Sequence, residues 1–201
     1  TLAAGGTLRD ALTALVRGYE IGARLGERFR IRPGMHVDGI WGTFGAVVAA
    51  GSALGQTAET VMGAVNAAAC QTPVSLYLPV AQGATARNTY VAEAARRAIN
   101  IAISVGAGVT SPVGGLEASE DLGIYVDRAE NGTGLAIAPR GEWLITQGYL
   151  KPFAAVRHVH YGAEAARRWC ERVGSSSGEI DAISLTVYPE AVTYCGNRAP
   201  R

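Results

Sequence analysis

Between residues 43 and 70 the chain runs through two stretches dominated by alanine, glycine and valine, each opened by a threonine and parted by Leu54-Gly55. A threonine oxygen can accept from the free N–H groups of a first helical turn. Thr43 and Thr57 therefore predict helices over 43–54 and 57–70. Side chains this small let helix backbones come close together. The two segments are expected to form a tightly packed, buried pair, which commits this half of the chain to a helical core.

The same punctuation continues on both sides. Thr7, with Asp10 three residues on, makes a capping-box variant. Leu8, Leu12, Leu15 and Tyr19 recur behind it at helical spacing. Gly26 and the charged run 27–32 end that helix, and Pro33-Gly34 marks a turn. A further helix is predicted over 88–105, stopping at Gly106. Residues 106–115 hold four glycines and Pro112, a hinge or boundary. Beyond it the pattern changes. A short helix is expected after Ser119, strands over 143–146 and 149–153, and an amphipathic helix over 160–172 ending near Gly174. Residues 174–178 predict a loop. Ile183, Leu185 and Val187 alternate with Ser184, Thr186 and Tyr188, as in a half-buried strand. The expected class is α+β: part of an all-helical domain over 1–115, then a small α+β domain over 116–201.

Bulk properties exclude some functions. The 201 residues suit one large or two small domains, and 48% hydrophobic content is ample for a core. A net charge of +1 gives no electrostatic footprint for nucleic acid or an anionic membrane. No run of apolar residues is long enough to span a bilayer. Cys70, Cys170 and Cys195 are far apart, odd in number and form no CxxC pair, which points to a reducing, cytoplasmic setting.

Lys151 is the single lysine; all other basic residues are arginine. Lysine is a compact charge whose pKa moves on burial, whereas arginine stays charged. Lys151 can therefore do proton or anion work that the arginines cannot copy. Two of the three histidines, His158 and His160, follow it closely. Were 157–160 extended, both would point to one face. No further ligand completes a metal spacing, so no metal site is expected.

The third histidine, His36, lies in a loop with Asp38 and four glycines ahead of a predicted helix start. Such a start offers free N–H groups and a partial positive charge, favourable for a carboxylate. His36 can act as a general acid or base near neutral pH, or simply bond to backbone. Another helix-entering loop, 82–90, brings Arg87, which can clamp a carboxylate, and Tyr90, which can donate a hydrogen bond.

These segments, taken in order, resemble the MmgE/PrpD family, which includes 2-methylcitrate dehydratase and cis-aconitate decarboxylase. The resemblance begins with Gly18-Tyr19-Glu20-Ile21-Gly22, Gly34-Met35-His36 and Gly42-Thr43-Phe44-Gly45-Ala46. It continues through residues 83–95, which are similar to a Gly-Thr-x-Thr-Lys loop entering an Ala-rich helix, and through 106–117. It closes with Leu150-Lys151-Pro152-Phe153 and Arg157-His158-x-His160. The resemblance implies a helical domain, a smaller α+β lid and a cleft between them. It also implies no metal or organic cofactor. His36 and Lys151 match active-site positions of the family and are the candidate catalytic residues. Arg87 stands where the family usually has lysine, and Tyr90 where histidine is common. Arg87, Asp38, Tyr90, His158 and His160 are the candidate substrate-binding residues.

The implied activity is that of a lyase or isomerase subunit moving a proton next to a carboxyl or carbonyl group of a small acid. Dehydration, decarboxylation, epimerisation or a double-bond shift would follow. Family chains are about twice as long, so the resemblance implies a complementary polypeptide supplying the rest of the helical domain, with such assemblies pairing. The alternatives are a non-catalytic half of a heteromer and a cyclase or isomerase repurposed in a biosynthetic pathway.

Overall fold

A computed structural model describes residues 5–71, 74–127, 141–174 and 180–195. The chain parts into two units, Thr1–Gln147 and Gly148–Arg201, each described by itself.

The first unit opens with α1 (Leu8–Arg28). Thr7 caps it through a full capping box: Asp10 N–H donates to Thr7 Oγ1 at 3.2 Å, and Thr7 N–H to Asp10 Oδ2 at 2.8 Å. Two orphan donors of the first turn are thus satisfied. The helix runs past Gly26, two residues beyond the expected stop, and passes into β1 (Phe29–Ile31). β1 pairs antiparallel with β2 (Tyr125–Asp127), Phe29 opposite Asp127 and Ile31 opposite Tyr125. Tyr125 is fully buried, its ring 4.7 Å from Phe29 and 5.5 Å from Trp41, and its hydroxyl donates to Leu116 O at 2.6 Å. Burial pushes that hydroxyl up to about 12.

The helices α2 (Trp41–Ala53), α3 (Ala58–Cys70) and α5 (Tyr90–Gly106) form the core, with short α4 (Leu78–Gln82) and α6 (Gly115–Asp121) beside them. Ile40, Phe44, Val47 and Val48 meet Ala64, Val65 and Ala68 of α3 and Ala98 and Ile101 of α5. Burying a side chain such as Phe44 contributes roughly 1.5–3 kcal/mol. Thr57 caps α3 as expected, accepting from Thr60 N–H at 3.2 Å. Thr43 does not cap α2: the helix starts at Trp41, and Thr43 Oγ1 donates back to Gly39 O.

The pair α2 and α3 packs as the small residues imply, but the closest crossing lies elsewhere. A Cβ on Gly18 of α1 would sit 2.5 Å from Gly45 O, and one on Gly45 would sit 2.6 Å from Gly18 O. The backbones of α1 and α2 touch there, so only glycine fits on either side. This crossing rotates Leu8, Leu12, Leu15 and Tyr19 away from the core, and they are between 42% and 70% exposed. The stripe follows a 4-3-4 spacing along one face of α1.

The boundary expected at residue 115 is not where contacts break. α6 packs on α3, with Ser119 Oγ donating to Ala69 O at 2.9 Å, and β2 pairs with β1. The backbone N–H of Leu144 donates to the buried Glu20 carboxylate at 2.9 Å. These bonds hold the described residues up to Gln147 in the first unit. The expected strand over 143–146 is instead a single 3-10 turn, Leu144–Gln147.

The described residues of the second unit carry α7 (His160–Val173) and α8 (Pro189–Cys195), with a 3-10 turn Arg157–Val159 before α7. They include no strand, so the strands expected there are not seen among them; the two strands among the described residues belong to the first unit. Among the described residues, 149–153 and 183–188 have no neighbouring strand to supply a ladder, and alternation alone does not satisfy backbone donors. α7 matches its expected span and stops at Gly174. Residues 175–178 of the expected loop lie outside the described residues. No helix among the described residues is long and apolar enough to cross a membrane, and Cys70, Cys170 and Cys195 are free thiols.

Candidate functional site

The loop 33–40 is built by a segment far along the chain. Met35 forms an isolated antiparallel bridge with Leu76. His36 N–H donates to Ser75 O at 2.7 Å, and Tyr77 N–H to Gly34 O at 2.9 Å. Ser75 is buried, and its hydroxyl lies 2.8 Å from His36 O and 2.6 Å from Asp38 O, donating to one at a time. Gly39 turns the loop toward α2 at φ +91°, a left-handed conformation that other residues rarely adopt.

This frame sets the His36 ring. It stacks on Tyr77 at 5.9 Å and 16° and lies tilted to Tyr90 at 6.2 Å. Its Nδ1 accepts from Asp38 N–H at 3.1 Å. In the neutral ring the proton therefore sits on Nε2. The Asp38 carboxylate is 3.7 Å from Nδ1 and 3.0 Å from an Arg87 Nη. Burial lowers the His36 pKa; Asp38 pulls it back up, and Arg87 pushes it further down. The net direction is downward, so at neutral pH the ring is an uncharged donor.

Arg87 lies in the 3-10 turn Thr85–Thr89 that precedes α5, and its side chain is about half exposed. One Nη faces Asp38, and a guanidinium has further N–H donors for a ligand. Tyr90 opens α5, but its hydroxyl donates to Leu76 O at 3.1 Å. Its single hydroxyl hydrogen is thereby engaged in holding segment 75–77, and the expected donation to a ligand gives way to a framing role. His36, Asp38, Arg87 and Tyr90, distant in sequence, thus form one cluster. It combines a cationic fork, a half-buried carboxylate and a neutral N–H donor, which suits binding of an acid and hydrogen bonding to a developing oxyanion.

The remaining sequence candidates belong to the second unit. Lys151 is exposed, in the irregular stretch before α7. The extended run over 157–160 is not formed, because 157–159 turn into α7; His158 and His160 instead have separate partners. His158 Nδ1 meets Tyr188 Oη at 2.6 Å, and its ring stacks on Tyr194 at 5.7 Å and 15°. His160 is buried, its Nε2 3.2 Å from Ala155 O and its ring edge-on to Phe153. Among the described residues no group of three or more His, Cys, Asp and Glu side chains could hold a metal ion.

Ser75 and Tyr77 were not among the sequence candidates. Ser75 makes its bonds across 39 and 37 residues, and no local spacing signals such a contact. The His36 loop was legible from its own residues; the segment that positions it was not.

The model of the MmgE/PrpD N-terminal domain matches residues 2–126, a span that includes His36, Asp38, Arg87 and Tyr90. No curated protein and no solved structure matches the chain.

Proposed function

We propose that this chain, which belongs to the MmgE/PrpD family, supplies a proton-transfer site of a cofactor-independent lyase or isomerase acting on a small carboxylic acid or acid derivative. The observation that carries the proposal is the cluster of His36, Asp38 and Arg87. Arg87 would pair with the substrate carboxylate, its orientation held by Asp38. Removing a proton from the carbon beside a carboxyl or carbonyl group places charge on oxygen. The neutral Nε2–H of His36 would donate to that oxygen, a stabilisation that grows as the charge develops. Lys151, the single amine side chain of the sequence, is the candidate for carrying the proton. Loss of hydroxide, leaving as water with the proton taken up, return of the proton to the other face, or its return at another carbon with a double-bond shift would complete the reaction; in a decarboxylation the carboxylate leaves first as carbon dioxide and the electron pair left on carbon takes up the proton. Asp38 and Tyr90 would shape the pocket beside Arg87.

The outward stripe of Leu8, Leu12, Leu15 and Tyr19 supports a complementary polypeptide completing the helical domain. A continuous apolar seam on a helix is a surface that a partner helix can cover.

The test is exchange of carbon-bound hydrogen in deuterium oxide, followed by NMR across a panel of saturated, hydroxylated and unsaturated di- and tricarboxylic acids. The protein is the assembled one, with any co-purifying partner. Exchange or turnover of one acid is expected, falling about tenfold or more in His36→Asn and in Lys151→Met, in line with loss of one acid–base or oxyanion-stabilising group. Exchange that persists unchanged in both variants removes these residues from the reaction.

A further inference from the structure

We propose that the second unit carries a binding site of its own for an organic carboxylate with an apolar or aromatic body. Its lining residues all lie within 149–168, and the proposal does not depend on the role assigned to His36. The loop before α7 and one face of α7 enclose a cleft of about 650 Å³, within the range of sites for small organic molecules. On the helix side, His160 and Tyr161 are followed at helical spacing by Glu164 and Ala165 and then by Arg168, so one face of the helix forms the wall. Opposite, Tyr149, Leu150, Pro152 and Phe153 supply aromatic and apolar surface. Phe153 meets the buried His160 ring edge-on at 5.6 Å, which fixes both at the base of the cleft.

The charges at its two ends differ. Arg168 is bonded to Glu164 at 2.7 Å, and the same carboxylate holds Arg167 at 2.8 Å. Bonding to Arg167 and Arg168 holds Glu164 at about 2, so it stays ionised and these arginines stay paired. Arg157 also lines the cleft but makes no ion pair or side-chain hydrogen bond among the described residues. Its guanidinium is the cation open to a ligand. From Arg157 to Arg168 the wall runs roughly 16 Å at the helical rise, which favours an elongated ligand: a carboxylate at Arg157 and a hydrocarbon or aryl body along Phe153 and Tyr161. Neutral apolar compounds would lack the ion pair, and short acids such as butanoate would leave the aromatic wall uncovered.

Isothermal titration of the 201-residue chain with 4-phenylbutanoate, 4-phenylbutan-1-ol and butanoate tests the site. The phenyl acid is expected to bind at least about tenfold more tightly than either analogue, as a charge-assisted bond and aromatic burial together imply. Arg157→Gln should remove most of the advantage of the acid over the alcohol and leave the alcohol bound as before. Ala165→Trp, on an exposed position of the wall, should fill the cleft and abolish binding of all three, with circular dichroism showing that both variants fold. His36→Asn should leave the titration unchanged. Absence of binding by the phenyl acid, undiminished binding in Arg157→Gln, or loss of binding in His36→Asn each overturns the proposal. Only the last would direct the ligand to the first unit.

Discussion

The unit up to Gln147 and the unit from Gly148 are held by different physics. The first has backbone contact between α1 and α2 at Gly18 and Gly45 and a buried set of Ile40, Phe44, Val47 and their neighbours. In the second, the side-chain contacts among the described residues include the His158–Tyr188 and His158–Tyr194 pairs and the arginine–glutamate pairs along α7. Buried apolar packing is dense and intolerant of change in size. Exposed ion pairs contribute little each and are screened by salt. The contrast teaches that a region rich in drawn interactions is not thereby the stable one. The family match falls on the first unit, where the packing is also densest.

The strongest way to break this comparison is Gly45→Leu. A Cβ there meets Gly18 O at 2.6 Å, a backbone atom that no rotamer change can move. Overpacking at such a crossing should cost about 3 kcal/mol or more. Hydrogen exchange should rise throughout Leu8–Arg28 and Trp41–Ala53; unchanged protection there would show that the crossing is not what holds the unit.

A smaller effect concerns pH. The folded pKa of His36 lies below its ordinary 6.5, so the unfolded chain binds the proton more readily. The stabilisation from keeping His36 neutral is complete above pH about 6.5 and is lost as pH falls through the lower folded value. Denaturation midpoints followed on acidification should decline in this window, and His36→Asn should flatten that decline. An identical pH profile in the variant would remove His36 as its source.

The smallest expected effect is Glu164→Gln. The carboxylate is exposed enough that its pairs with Arg167 and Arg168 should leave the calorimetric melting temperature within measurement scatter. A drop of several degrees would erase the contrast between the units.

What was legible in the sequence is what is decided locally. Thr7 with Asp10, Thr57 with Thr60, and the stop of α7 at Gly174 depend on groups within four residues of one another. The His36 loop and Arg87 were likewise marked by their own residue types. Two kinds of feature were not. The face of α1 that packs is set by glycine contacts with α2, so the leucine stripe at perfect helical spacing turned outward. The alternation at 183–188 needed a neighbouring strand, and Leu185 instead lies against Gly162 of α7. Residues 115–127 read as the start of another domain because glycines and Pro112 precede them, yet Ser119 bonds to Ala69 O and Tyr125 pairs with Ile31 and packs on Phe29 and Trp41.

The two carbonyl contacts of Ser75, and the reach of Tyr90 to Leu76 O, also imply an order of events. The Ser75 bonds close loops of nearly forty residues and the Tyr90 bond one of 14, and the entropy of closing a loop makes long-range contacts the slower ones to form. On that ground His36 would acquire its orientation late, after α2 and α3 have met. In the reverse direction it would be among the first groups released when the unit opens locally. Competence of the cluster would then report the last step of maturation and the earliest sign of damage.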